Sequence, residues 1–80
     1  MQPGTYVTDG AVNFHFEFNG AVLRARISAV ALEDHFGARK DDPGSHMRAY
    51  RSNAEAIHAK AIHLVKLGAL EPVLIQSKHC

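Results

Sequence analysis

Val12, Phe14, Phe16 and Phe18 alternate with Asn13, His15 and Glu17, and the dipeptide Asn19-Gly20 follows at once. An apolar residue at every second position marks a strand with one buried face. Asn-Gly supplies the two positive-φ residues of a two-residue type I′ turn, so the next run, through Ile27, must pair back antiparallel. That turn also sets the register. It predicts Phe16 opposite Leu23, Phe14 opposite Ala25 and Val12 opposite Ile27 on the inner face. The outer face then carries Asn13, His15 and Glu17 beside Val22, Arg24 and Arg26, and is polar and mildly basic.

Ser28 follows the second strand directly, and its hydroxyl can accept from a first-turn backbone N–H, which predicts a short helix over Ala29 to Phe36 ended by Gly37. Val30, Leu32 and Phe36 are expected to reach the sheet, with Glu33 and His35 in water. Ala38 to Gly44 reads as a loop. A second helix is expected from Asp42-Pro43 to about Leu67, with Met47, Tyr50, Ala54, Ile57, Ala61 and Leu64 as one apolar stripe and Arg48, Ser52, Glu55, His63 and Lys66 on the solvated side. A helix of about 25 residues is about 37 Å long against about 23 Å for a seven-residue strand, so it should overhang its sheet. Pro72 admits a third strand over Val73 to Gln76. The expected fold is α+β in the order β-β-α-α-β: a two-layer sandwich of three antiparallel strands, the third beside the first, with both helices on one face.

Eighty residues make one domain, 1–80, with flexible ends at about 1–10 and 77–80. A core of this size supplies only about 3–5 kcal/mol, so burial against a partner would help. The one cysteine, Cys80, excludes a disulfide framework and is expected to be an inert thiol. A reducing, cytoplasmic setting fits, and no apolar run approaches a membrane span or a signal peptide. Nine Lys and Arg against eight Asp and Glu give a net charge of +1, far from the basic excess of a dedicated nucleic-acid binder.

The strand VNFHFEF, the NG turn, the segment RISAVALEDHFG with its Ile-Ser-x-x-Ala-Leu core, Tyr50, Ile57 and Ala61 together resemble the small bacterial family catalogued as domain of unknown function 1488. In that family an arginine often stands three positions before the helix isoleucine, where this chain has Ala54. The resemblance implies a compact two-layer α/β fold in a bacterial cytosolic protein, and it brings no catalytic residues and no established activity.

Six histidines invite a metal, but His58 and His63 are five apart and point about 140° from each other on a helix, unlike an i, i+4 ligand pair. His35, Asp41, Asp42 and His46 flank one loop and could converge on it, but four groups scattered in sequence are a weaker reading than solvated loop residues. Asp34-His35 and Ser45-His46 hold the side-chain types of acyl transfer, yet sequence neighbours rarely face each other as nucleophile and base. No phosphate loop or nucleotide fingerprint is present. The sequence reading is therefore a non-enzymatic protein without metal or cofactor, acting through protein contacts. Its partner is another protein or a second copy held through the long helix, and Tyr50, Ile57, Ile62 and Val65 are expected in the core or at that interface. The alternative is a nucleic-acid accessory protein using Arg24, Arg26, Arg48 and Arg51, although the hairpin phenylalanines point inward and leave no stacking platform.

Overall fold

The computed structural model describes residues 5–42 and 44–79. The expectations for residues 1–4, for Pro43 at the helix start and for Cys80 lie outside the described residues. The chain forms β1 (Tyr6–Thr8), β2 (Ala11–Phe18), β3 (Ala21–Ile27), α1 (Ala29–His35), α2 (Ser45–Ser52), α3 (Ala54–Lys66) and β4 (Val73–Ile75), then a 3-10 turn at Ser77–His79. It is an α+β fold with a four-stranded mixed sheet in the order β1-β2-β3-β4.

The central hairpin has the expected register, Val12 against Ile27, Phe14 against Ala25 and Phe16 against Leu23. Asn19 and Gly20 take φ of 52° and 80°. Val12, Phe14, Phe16, Ala25, Ile27, Val73 and Ile75 form the inner face of the sheet and pack with Leu32, Tyr50, Ile57 and Ala61 from the helices in one core. The helices thus lie on one face, as expected.

The sheet itself differs in two linked ways. Asp9-Gly10 makes a second two-residue turn, with φ of 51° and 83°, and folds Tyr6–Thr8 back onto β2 as an additional strand. β1 therefore fills the place beside the first hairpin strand where the last strand was expected. β4 goes instead to the other edge, parallel to β3, with Ala25 against Val73 and Ile27 against Ile75. A parallel pair needs a long crossover, and the three helices provide it. Both ends of this ladder are extended. The Ser28 backbone N–H donates to the Ile75 carbonyl at 2.9 Å, and that of Arg24 donates to Glu71 Oε1 at 2.7 Å.

α1 begins as its sequence dictates, with the Ser28 hydroxyl accepting from the Ala31 N–H at 3.1 Å. Leu32 is buried, but Val30 is 52% exposed. Residues two apart on a helix point about 160° from each other, so both could not face the sheet. Ala31 is buried instead. Glu33 does not face water either, for reasons given below.

The expected long helix is broken at Asn53. Its backbone, at φ −124° and ψ 19°, leaves the helical region. Its N–H donates to the carbonyls of Ala49 and Tyr50, and its side-chain Nδ2 donates to the Ala49 carbonyl at 2.9 Å. An asparagine amide competing for a helix carbonyl ends α2, while the Asn53 carbonyl accepts from Ile57 N–H at 2.9 Å and starts α3. The apolar stripe continues across the break through Tyr50, Ile57 and Ala61, all buried. The overhang does not survive it: α3, with 13 residues, is about 20 Å long, against about 26 Å for the eight-residue β2.

Candidate functional site

Among the described residues, no element covers the outer face of the sheet. The pairing of Tyr6 with Asn13 and of Thr8 with Ala11 puts Tyr6 and Thr8 on that face, where Asn13 Nδ2 donates to Thr8 Oγ1 at 3.2 Å. Arg26 lies between Asn13 and Leu74, and Arg24 is opposite His15. Tyr6, Val22 and Leu74 are 57%, 62% and 49% exposed. The face therefore presents an aromatic ring, two aliphatic side chains and two arginines together. Arg24 is partly engaged, its Nε lying 3.8 Å from Glu71 Oε1. Arg26 is half-buried and has no ion pair among the described residues.

Arg48 and Arg51 are not brought to this face. Both are exposed on α2, in the helix layer, and Arg48 pairs with Asp42. The four arginines singled out from sequence thus divide between opposite sides of the molecule. Of the four core or interface candidates, Tyr50 and Ile57 are in the core at 4% and 0% exposure. Ile62 and Val65 are half-buried against it.

His35, His46 and His58 take separate partners. His46, on α2, reaches across to α1, its Nε2 2.8 Å from Glu33 Oε2, with the side chains only 7% and 13% exposed. This contact is what draws Glu33 out of water. His58 sits 2.7 Å from the Tyr50 hydroxyl and stacks on Phe14 with ring centroids 5.1 Å apart. Residues eight apart on a straight helix are separated by about 12 Å, so the turn at Asn53 is what lets Tyr50 and His58 meet. Burial lowers the His58 pKa from 6.5 and raises that of Tyr50 from 10.0, which keeps the phenol as donor and the imidazole as neutral acceptor.

His35 Nε2 is 3.1 Å from Ser77 Oγ, and Ser77 donates to Asp34 Oδ2 at 2.8 Å. These are the residue types of a triad in the wrong order. Because the carboxylate takes the only hydroxyl proton, His35 must donate to Ser77 and cannot act as its base. Ser45 is likewise occupied, accepting from the Arg39 N–H at 2.8 Å and sharing its one proton between the carbonyls of Arg39 and Asp42. Asp41 pairs with Arg39. The loop residues His35, Asp41, Asp42 and His46 therefore do not converge, and the described residues contain no group of three metal-ligating side chains.

Comparison with protein-family models, curated proteins and solved structures finds no match. Among the described residues, no helix is long and apolar enough to cross a membrane. Sequence reasoning missed Tyr6, Glu33 and Ser77. A signal existed only for Tyr6, in the Asp9-Gly10 dipeptide, which is a hairpin turn as good as Asn-Gly.

Proposed function

We propose that this chain is a non-enzymatic binding module that receives a protein partner on its open sheet face. One observation carries the reading: Tyr6, Val22 and Leu74 are exposed beside the exposed Arg24 and the half-buried Arg26 on the one face that the helices leave bare. Tyrosine and arginine are the side chains that contribute most at protein interfaces, and flanking aliphatic groups exclude water from them. The break at Asn53 moves this reading away from the helix, since no overhang remains to be covered. The partner is a different protein or a second copy. Light scattering across a concentration series, with the double variant Val22→Glu, Leu74→Glu, distinguishes them. A dimer abolished by the variant supports self-association. A monomer directs the search to capture of a partner by the wild type and not by the variant, and equal capture by both sinks the reading.

A second reading uses the same face for single-stranded nucleic acid, because β1 adds an exposed Tyr6 to the face that bears His15, Arg24 and Arg26. An aromatic ring beside cationic groups is the composition on which bases stack and phosphates are held. Binding of this kind would weaken steeply with salt and be lost in Arg24→Glu, Arg26→Glu.

A further inference from the structure

The β1–β2 turn roofs a recess of about 420 Å3 on the helix side, away from the open sheet face. Val7 and Ala29 form its apolar wall, and Asp9, Glu33, Lys40 and His46 bring polar groups to it from four separate segments. The roof fits closely. A Cβ on Gly10 would lie 2.9 Å from Ala29 Cβ and 3.4 Å from His46 Nε2, so only glycine lets the turn come down to this depth.

Two of the four polar groups satisfy each other, His46 and Glu33 at 2.8 Å. Asp9 and Lys40, of opposite sign, line the same recess and make no ion pair among the described residues. Keeping two polar side chains nearly buried in so small a domain costs desolvation that their one hydrogen bond repays poorly. The recess is open to solvent, and its volume near 420 Å3 gives room for a small molecule against an apolar wall with a few convergent polar groups. A simple anion there would meet the carboxylates of Asp9 and Glu33, and a simple cation would leave Lys40 unmatched. A molecule bearing both charges on a short aliphatic chain matches all three.

We propose that this recess binds a small amino-acid-type zwitterion, its ammonium held by Glu33 and Asp9, its carboxylate by Lys40, and its methylenes against Val7 and Ala29. The site is independent of the sheet-face reading and lies on the other side of the sheet.

The test is an amide NMR titration of the whole chain with β-alanine, with ethylammonium and acetate as half-probes. β-Alanine should shift the Gly10, Ala29 and Lys40 amides saturably and leave Val22 and Leu74 unmoved, and each half-probe should bind about tenfold more weakly or worse. Lys40→Ala changes an exposed side chain and Asp9→Asn keeps a residue that tolerates positive φ, so both should fold and both should weaken binding by about tenfold. An absence of saturable shifts, an affinity for either half-probe equal to that for β-alanine, or unchanged binding in both variants would overturn the proposal.

Discussion

Asp9-Gly10 and Asn19-Gly20 reverse the chain with nearly the same φ angles, 51° and 83° against 52° and 80°, but their surroundings are opposite. A Cβ on Gly20 would meet nothing within 4 Å, whereas one on Gly10 would collide with Ala29 beside the His46–Glu33 pair. The strands they feed are opposite too: β2 and β3 pair over seven positions and bury one face, while β1 pairs over three and buries none. Local geometry is therefore the same device used twice. In the second hairpin the strands hold the turn in place, and in the first the turn holds the strand.

Replacing each glycine separates the two cases. Gly10→Ala combines a positive-φ penalty with displacement of Ala29, and should destabilise by about 3 kcal/mol in urea unfolding. Equal effects at Gly10 and Gly20 would break the comparison. Glu33→Ala, which strands His46 beneath the first turn, should cost about 2 kcal/mol and loosen β1 selectively in amide exchange. Gly20→Ala faces only the backbone term, about 1 kcal/mol. Acid should act on both hairpins alike, because Phe14, which stacks on His58, belongs to the strand they share. Burial holds His58 below 6.5, so the unfolded chain binds the proton first and stability declines as the pH falls below that value. A His58→Leu variant should lose that part of the slope. The smallest effect is expected from exchanging the turn residues, Asp9→Asn with Asn19→Asp, within about 0.5 kcal/mol of wild type, since either residue accepts positive φ.

How far the sequence could be read follows from the range of the forces involved. The central hairpin and the Ser28 cap are set by residues within a few positions of each other, and both were legible. β1 is exposed at all three positions, so it has no apolar alternation to reveal it. Asn53 breaks the helix without disturbing the apolar stripe, because Tyr50, Ile57 and Ala61 stay inward on both sides. The edge chosen by β4 depends on β1 having taken the other edge, a competition that no local pattern records. The site residues follow the same rule. Arg24 and Arg26 were placed by strand alternation, whereas Glu33 meets His46 only after α1 and α2 pack.

The parallel position of β4 also sets an order of assembly. Every other strand pairs across two residues, but β4 reaches β3 only after 45 intervening residues, 28–72, have been made and folded back. During synthesis the hairpins and α1 are complete while the Ala25–Ile27 edge of β3 has no neighbour. An unpaired strand edge recruits other chains. The last strand therefore trims the sheet's exposure as well as completing it: its arrival covers the Ala25–Ile27 stretch of β3 and leaves in its place a free edge only three residues long.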